Sequence, residues 1–338
     1  MRALLLGCAI ALTAAPALAQ SCDAQTRHAI IVHGGTSSGK AYPERLAFIE
    51  DMLSERRAEL EAGASALDVT ERAIIAMEDS GLFNAGRGAI SNLGGFVETD
   101  ASIMDGRDRD AGAVASLTGI KNPIRAARRV MEDTTHVMFV GTRGEDKLVS
   151  LGLETVEGDY FSNNAGKVKS EKSGSGWLDH PKKHGTVGAA VLDRCGDLAA
   201  GTSTGGYDNK TPGRVGDSPV IGAGTWAQNG VMAGSATGHG EYFIRFNALR
   251  TIAARMEFGG EGVEHATHAV LHAMAEAGQD TKPGGRDGQG GIIAVDADGD
   301  FAATHSYPGM IFGIARDDTE PMASQRAPGS PVQGPPPE

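Results

Sequence analysis

The sequence predicts an α+β fold in which layers of helices pack against antiparallel sheets. Its strand-like and helix-like segments come in blocks, strands first, then helices, then strands again, rather than in the alternation that is typical of parallel sheets. Short turns join the later strand pairs, as in antiparallel hairpins. Apolar residues make up 40% of the 338 residues and charged residues 22%, so the chain can bury a substantial core without disulfide or metal staples.

Two features of the composition bear on function. The formal net charge is −12, which argues against a nucleic-acid partner because such proteins present a basic face. Glycine accounts for 48 of the 338 residues, about twice its usual share of roughly 7%. These glycines cluster at the ends of apolar runs, which indicates backbone that approaches another group closely.

The N-terminal residues have the pattern of a secretory signal peptide. Arg2 supplies a positive charge, residues 3–15 are apolar or small, and Ala17-Leu18-Ala19 is a small-x-small cleavage signal. The apolar run is too short to span a membrane as a helix. The sequence therefore predicts a signal peptide at residues 1–19 and a periplasmic or secreted mature protein with no membrane segment.

Strands and amphipathic helices share the first half of the chain. Short apolar runs predict strands at residues 28–32, 89–104, 111–117 and 137–140. Apolar residues at helical spacing predict helices around residues 46–60, 66–77 and 124–131. The first strand ends at His33-Gly34-Gly35, and a loop over residues 83–88 follows the second helix.

The second half begins after a change of composition. Residues 158–184 are rich in Asn, Lys, Ser and Gly and have little apolar periodicity, which predicts a flexible connector. Strands are then predicted at 186–192, 198–204, 291–295 and 301–304, helices at 241–256 and 263–277, and a Gly-rich loop at 205–224. The tail from about 318 to 338 is predicted to be disordered.

A buried strand begins at Thr186 directly after this connector. A threonine hydroxyl is a weak nucleophile unless a base lies beside it. Cleavage of the Gly185–Thr186 bond would supply that base, since a free α-amine has a pKa of about 7.7–8.0. Gly185 offers a conformationally permissive bond for attack by the Thr186 hydroxyl. On position alone, Thr186 as an ordinary β-branched residue that opens a strand remains an alternative.

Several glycine-flanked polar motifs surround this position in the sequence. They are His33-Gly-Gly35, Phe83-Asn-Ala-Gly86, Glu98-Thr-Asp-Ala-Ser-Ile-Met-Asp-Gly106, His184-Gly-Thr-Val-Gly188, Thr202-Ser-Thr-Gly-Gly206, Gly213-Arg-Val-Gly-Asp217-Ser-Pro219 and Thr237-Gly-His-Gly-Glu241. In their order and spacing, from about residue 28 to 315, they resemble the plant-type asparaginase and isoaspartyl peptidase family of N-terminal nucleophile hydrolases. The resemblance implies a four-layer αββα sandwich made as an inactive precursor.

The resemblance also implies catalytic roles. Thr186 would be the nucleophile for both self-cleavage and turnover, and Thr204 would hydrogen-bond its hydroxyl. Thr237 and the Gly238 amide would stabilise the oxyanion of the tetrahedral intermediate, where loss of one donor typically costs about 10²–10³ in rate.

Substrate contacts follow from the same resemblance. Arg214 would bind the substrate α-carboxylate through a bidentate pair, and Asp217 would bind the α-ammonium. Gly240 and Asn84 would complete the substrate site. A mutual surface pair of Arg214 with Asp217, three residues apart, is the structural alternative.

The implied product is one hydrolase domain in two chains. Cleavage after Gly185 would give an α chain of residues 20–185 and a β chain of residues 186–338, which assemble as a dimer of αβ units. The enzyme would hydrolyse L-asparagine and β-aspartyl dipeptides through a β-aspartyl ester on Thr186, without a catalytic cofactor. The resemblance further implies a structural sodium ion held by the main-chain carbonyls of Met77, Glu78, Ser80, Phe83, Ala85 and Arg87.

Two other functions remain open from the sequence. A glycosylasparaginase shares the implied fold and the Arg/Asp pair, but usually has aspartate directly before the nucleophile, where this chain has Gly185. An exported protein that binds acidic amino acids without turnover is the alternative from another class.

Export leaves two cysteines, Cys22 and Cys195. Neither belongs to a CxxC pair, so metal binding and thiol redox chemistry have little support. The strand from His28 should run toward the active site, and the strand from Thr186 should run away from it toward Cys195. The two cysteines are therefore predicted to meet at the distal end of the sheet, in a disulfide that joins the α and β chains. The alternative is a free Cys195 in a turn.

Overall fold

The computed structural model describes residues 27–37, 42–161, 185–207, 210–279 and 288–326. The predicted signal peptide, Cys22, most of the predicted connector and the last part of the Pro-rich tail lie outside these ranges.

Two β-sheets form the centre of the protein. The strands, in chain order, are β1 (Ala29–Ser37), β2 (Thr99–Asp105), β3 (Ala111–Leu117), β4 (Met138–Val140), β5 (Val187–Leu192), β6 (Leu198–Thr204), β7 (Thr225–Gln228), β8 (Met232–Gly238), β9 (Gly290–Asp296), β10 (Phe301–His305), β11 (Gly309–Arg316) and β12 (Thr319–Ser324). The larger sheet has the order β12-β11-β1-β5-β6-β2-β3-β4, and the smaller has the order β10-β9-β8-β7. Apart from the parallel pair of β3 and β4, all neighbouring strands are antiparallel.

Helices cover both sheets. They are α1 (Pro43–Glu61), α2 (Ala66–Ser80), α3 (Pro123–Asp133), α4 (Gly141–Ser150), α5 (Gly240–Phe246), α6 (Ala248–Gly259) and α7 (Val263–Gln279). Helix α2 begins where the Ser65 side chain accepts a hydrogen bond from the Asp68 amide at 3.2 Å, and it ends at Gly81 in the left-handed region with φ 69°. Both ends follow ordinary capping chemistry.

The strand side chains alternate between two hydrophobic cores. On β1, Ile30 and Val32 belong to the core shared with α1, α2 and α3, whereas Ile31 belongs to the core between the sheets. Helices α1, α2 and α3 contact the larger sheet, and α6 and α7 contact the smaller one. Strands β5 and β6 of the larger sheet contact β8 of the smaller. The structure is therefore a mixed α/β fold with two packed sheets, and it agrees with the predicted class at that level.

Four details correct the sequence-based predictions. The helix predicted at 241–256 is broken into α5 and α6, because Asn247 takes the left-handed conformation with φ 45°. The strand predicted at 89–104 is confined to β2. Strands β7 and β8 follow the Gly-rich loop, where no strand was predicted. Residues 319–324 form β12, paired with β11, so the predicted disordered tail is wrong for this segment: a neighbouring edge supplies its backbone partners.

The strand pair β1–β5 has Thr186 near one end and the turn with Cys195 at the other. The pair is antiparallel with Ala29 opposite Leu192 and His33 opposite Gly188. The predicted directions are therefore confirmed: β1 runs toward Thr186, and β5 runs away from it to the turn that contains Cys195. Cys195 is disulfide-bonded.

Among the described residues, no helix is long and apolar enough to cross a membrane.

Candidate active site

Three strand segments meet at one end of the larger sheet. β5 pairs with β1 through His33 and Gly188 and with β6 through Val187 and Ser203. Because both pairings are antiparallel, the start of β5 lies next to the end of β6. The Thr186 hydroxyl donates a hydrogen bond to Thr204 Oγ1 at 3.0 Å. The structure thus brings together the two hydroxyls that the sequence analysis paired.

Glycines pack tightly around the bond that precedes Thr186. Gly185 has a φ of 126° and Gly35 a φ of 92°, both in the region that favours glycine. A Cβ on Gly35 would overlap the Gly185 Cα, and a Cβ on Gly185 would overlap the Gly34 carbonyl oxygen. The backbone amide of Asn84 donates a hydrogen bond to the Gly185 carbonyl oxygen at 3.1 Å. The carbonyl of the candidate scissile bond therefore has a fixed donor.

Asn84 connects this bond to the loop after β6. Its Nδ2 donates to the Gly206 carbonyl oxygen at 2.5 Å, and its Oδ1 accepts from the Ile90 amide at 3.0 Å. Its carbonyl oxygen accepts from the Gly205 amide at 3.0 Å. Both ends of the Asn84 side chain are thus bonded within the protein. In this structure Asn84 holds two loops together, and its contact with substrate stays a prediction.

His33 lies on β1 opposite Gly188, two residues after the candidate nucleophile, and no role was predicted for it from the sequence. Its Nε2 lies 2.9 Å from Ser235 Oγ, which lies 2.6 Å from Thr202 Oγ1. Burial lowers the pKa of His33 to about 3, although a hydrogen bond with the Thr186 backbone opposes the shift. His33 is therefore neutral at ordinary pH. It acts as a hydrogen-bonding support between the sheets and not as an acid or base.

Thr237 and Gly238 lie at the end of β8 in the facing sheet. Thr237 is 2% exposed, and Gly238 has a φ of 138°. A Cβ on Gly188, two residues after Thr186, would overlap the hydroxyl of Ser235, two residues before Thr237. This close approach of β5 and β8 places the predicted oxyanion residues on the strand that packs behind the nucleophile.

Arg214 pairs with a residue that the sequence analysis did not single out. Its Nε donates to Glu241 Oε1 and its Nη2 to Glu241 Oε2, both at 2.9 Å. The ring of Tyr207 lies 4.4 Å from the Arg214 Cζ. Burial favours the neutral form of Glu241, but the hydrogen bonds from Arg214 keep the pKa of Glu241 below its usual value. The alternative of a surface pair between Arg214 and Asp217 is therefore not what the structure contains.

Asp217 is a buried carboxylate beside this pair. It is 5% exposed, and its Oδ2 has no hydrogen-bond partner among the described residues. Burial raises the pKa of Asp217 to about 7, against the opposing charge of Arg214. A Cβ on Gly240 would lie 2.7 Å from Asp217 Oδ1 and 3.0 Å from Arg214 Nη2. Position 240 therefore has little room for a side chain beside these two charged groups.

Buried charges support the loop that carries Arg214. The Glu98 carboxylate accepts from the Gly213 amide at 3.0 and 3.1 Å. Lys210, whose side chain is fully buried, donates to the Glu98 carbonyl oxygen at 3.0 Å and lies 3.9 Å from Asp100. Single-sequence reasoning cannot identify such a network, because its members are brought together only by the packing of β2 against the loop.

The loop after α2 contains main-chain carbonyls that were predicted to hold a sodium ion. A Cβ on Gly88 would overlap the Phe83 carbonyl oxygen, so any side chain at position 88 would cover that oxygen. The Met77 carbonyl accepts from Ser80 Oγ at 2.8 Å, and the Ala85 carbonyl accepts from the Gly88 amide at 3.1 Å. Each carbonyl oxygen retains a second lone pair. The donor set is therefore compatible with a hard cation.

Side-chain metal ligands are a separate question. Within the part of the chain that the structure describes, no group of three or more His, Cys, Asp or Glu side chains could hold a metal ion.

Comparisons with known proteins show the family of this chain. The family model described as asparaginase matches residues 26–323. Isoaspartyl peptidase from Salmonella typhimurium is 41% identical over 308 residues, which cover 85% of this chain and 96% of that protein. Isoaspartyl peptidase/L-asparaginase is 39% identical over 296 residues in Rattus norvegicus, covering 85% of this chain and 86% of that protein. The human protein of the same name is 37% identical over 295 residues, covering 85% and 93%. The chain belongs to the asparaginase family.

Proposed function

We propose that this chain is an N-terminal threonine hydrolase that cuts itself between Gly185 and Thr186 and then hydrolyses L-asparagine and β-aspartyl dipeptides. The observation that carries the proposal is the Thr186 hydroxyl, bonded to Thr204 at 3.0 Å beside a glycine-lined backbone. The names of the relatives support this substrate class. The helices on the outer side of each sheet support the four-layer αββα arrangement.

Self-cleavage begins with the Thr186 oxygen attacking the carbonyl carbon of Gly185. The C–O bond forms, the C–N bond breaks, and the hydroxyl proton passes to the released amine. Water then hydrolyses the resulting ester and frees the Gly185 carboxylate. The Asn84 backbone amide, 3.1 Å from the Gly185 carbonyl oxygen, would stabilise the negative charge that develops there.

Turnover uses the amine that self-cleavage releases. The Thr186 α-amine takes the hydroxyl proton while Oγ1 attacks the side-chain carbonyl of the substrate. Thr237 and the Gly238 amide would stabilise the oxyanion. The amine then returns the proton to the leaving ammonia or amino acid, and water hydrolyses the β-aspartyl ester.

The charges near the site support recognition of an L-aspartyl head group. Arg214 would bind the α-carboxylate, and Asp217, whose Oδ2 lacks a hydrogen-bond partner, would bind the α-ammonium. An ionised carboxylate is costly to bury without a partner. A substrate ammonium would supply that partner.

The KM for asparagine is expected to depend on the ionisation of Asp217. Because burial raises its pKa to about 7, a fall from pH 8 to pH 6 protonates most of the free enzyme at this position. The protonated form cannot pair with an ammonium, so KM should rise about tenfold for each unit below the pKa. In the enzyme–substrate complex the ammonium keeps Asp217 ionised, so the acid limb due to Asp217 appears in kcat/KM and not in kcat.

The pH profile also separates Asp217 from the Thr186 amine. Protonation of the amine disables the base and lowers kcat as well as kcat/KM. Steady-state kinetics from pH 5.5 to 8.5 distinguish the two. A KM that stays constant across this range would remove Asp217 from ammonium binding.

The mature protein is expected to contain a disulfide between Cys22 and Cys195. Cys195 is disulfide-bonded and lies in the turn after β5, at the end of the sheet where β1 begins. Cys22 precedes His28 by six residues and lies outside the described residues. Mass analysis under denaturing, non-reducing conditions should give one αβ species from protein matured in an oxidising compartment. Cys195→Ser should release separate chains; separate wild-type chains without reductant would contradict the pairing.

Three further properties are part of this proposal. Export rests on the signal pattern at residues 1–19, and assembly as a dimer of αβ units rests on the family resemblance. A structural sodium ion at the loop after α2 rests on the family resemblance and on the Phe83 carbonyl oxygen, which the side-chain-free Gly88 leaves uncovered. Mass spectrometry of the secreted protein tests export, and light scattering tests the dimer of αβ units. Thermal stability measured in sodium and in a large organic cation tests the sodium site.

One experiment separates the proposed function from its rivals. Purified protein is analysed by intact mass and assayed with L-asparagine, L-glutamine, an isoaspartyl dipeptide and a glycosylated asparagine. Two chains with activity on asparagine and the dipeptide are expected. Preference for the glycosylated substrate would indicate a glycosylasparaginase. A single chain that binds aspartate without turnover would indicate a binding protein.

A further inference from the structure

The Arg214 guanidinium has two edges that can each bind a carboxylate. Glu241 occupies one of them, the edge formed by Nε and Nη2, with two hydrogen bonds of 2.9 Å. A guanidinium carries five N–H donors, so the pair with Glu241 leaves three. Two of these lie on the adjacent edge, formed by Nη1 and Nη2, and the third, on Nη1, points back toward Cδ.

Glycine backbone flanks this second edge. A Cβ on Gly216 would lie 2.7 Å from Arg214 Nη1, and a Cβ on Gly240 would lie 3.0 Å from Nη2. Neither position has a side chain to cover the donors. The same Gly240 borders Asp217 Oδ1, so the second edge is next to the carboxylate whose Oδ2 lacks a hydrogen-bond partner. The distance between α-carboxylate and α-ammonium in an amino acid is short, which suits two adjacent groups of opposite charge.

The orientation of the guanidinium is constrained from two sides. Glu241 holds the Nε/Nη2 edge, and the Tyr207 ring lies 4.4 Å from Cζ on one face. The Arg214 side chain is 14% exposed, while that of Glu241 is 42% exposed. Solvent can therefore reach the carboxylate but reaches little of the guanidinium. An arginine held by a bidentate pair loses less freedom when it binds a second carboxylate.

We propose that Glu241 is a positioning residue that holds Arg214 so that its Nη1/Nη2 edge faces the α-carboxylate of the substrate. The inference rests on the proposed function and adds the residue that sets the geometry of head-group recognition. Glu241 touches neither the substrate nor the reacting atoms. It acts through Arg214, and it therefore affects binding of ligands with an α-carboxylate and no others.

The test compares two ligands in wild type and in Glu241→Gln. L-aspartate has an α-carboxylate, and β-alanine keeps the ammonium and the other carboxylate but lacks it. Calorimetry on the processed proteins should show that Glu241→Gln weakens aspartate binding about tenfold and leaves β-alanine binding unchanged. The KM for asparagine should rise by a similar factor, with kcat within about threefold of wild type and self-cleavage complete.

A matched control uses another bidentate pair. Arg255 Nε donates to Glu261 Oε2 at 2.9 Å, and Arg255 Nη2 lies 2.8 Å from Oε1. Glu261→Gln thus removes the same charge from the same kind of pair, and its kinetics and ligand affinities should equal those of wild type. In an Arg214→Lys background, Glu241→Gln should have little further effect, because the guanidinium that it orients is gone.

Two results would overturn the inference. Unchanged aspartate affinity in Glu241→Gln would show that Arg214 needs no such support. An equal loss for aspartate and β-alanine would show that Glu241 stabilises the whole pocket. Neither result depends on turnover, so failure of the proposed function, seen as a wild type that hydrolyses neither asparagine nor isoaspartyl dipeptides, is distinguishable from failure of this inference.

Discussion

Replacement of Thr186 by alanine is expected to leave a single uncut chain with no hydrolase activity. The same hydroxyl attacks the Gly185 carbonyl during maturation and the substrate carbonyl during turnover, and no neighbouring hydroxyl can replace it. Thr204 lies 3.0 Å away, but it carries no free amine to act as its base. Intact mass spectrometry and an ammonia-release assay with asparagine measure the two losses separately.

Thr186→Ser is the control for this prediction. Serine keeps the hydroxyl and, once cleaved, the α-amine, so some cleavage and some turnover should remain. A Thr186→Ala protein that still matured, with a β chain that begins at residue 186, would refute autocatalysis. Another protease would then be responsible for processing.

The sequence was sufficient to predict the strands that hold Thr186. β1 and β5 are buried on both faces, as Ile30 and Ile31 on β1 illustrate by belonging to different cores. Such strands have continuous apolar runs that are visible without a structure. The position of Thr186 directly before β5, and the direction of β1 toward it, followed from those runs.

Strands β7 and β8 could not be predicted in the same way. Their inner faces carry small hydroxyl side chains, such as Thr225 and Ser235, in place of large apolar ones. Thr225 Oγ1 donates to Thr202 Oγ1 at 2.6 Å, and Ser235 Oγ lies 2.6 Å from the same atom. These residues are buried because partners on the facing sheet satisfy them. That satisfaction is a tertiary property, which local sequence does not encode.

The partner of Arg214 was also beyond sequence reasoning. Asp217 lies three residues away in the chain and is the obvious local candidate, whereas Glu241 lies at the start of α5, 27 residues later. Gly213, next to Arg214, is bonded to Glu98, and the loop places Arg214 beside the start of α5. The backbone path, and not proximity in sequence, therefore decides which carboxylate the guanidinium meets.

Arg214→Lys is expected to lower kcat/KM for asparagine by at least about 100-fold, although it keeps the positive charge. An ammonium cannot form two parallel hydrogen bonds to one carboxylate while a second carboxylate occupies its other donors. Each hydrogen bond to a charged group contributes roughly 1.5–3 kcal/mol, and about 1.4 kcal/mol corresponds to a factor of ten. Steady-state kinetics on the processed variant measure the loss.

The geometry of the site also predicts what Arg214→Lys leaves intact. Gly185 and Thr186 are held by Asn84 and by the strands, not by Arg214, so cleavage should remain complete by intact mass. Arg255→Lys is the matched control, since it alters the bidentate pair with Glu261 and should leave kcat/KM unchanged. If Arg214→Lys hydrolyses asparagine with wild-type kinetics, the α-carboxylate binds elsewhere. The buried carboxylate of Asp217, whose Oδ2 lacks a hydrogen-bond partner, would then be the sole charged contact to the substrate head group.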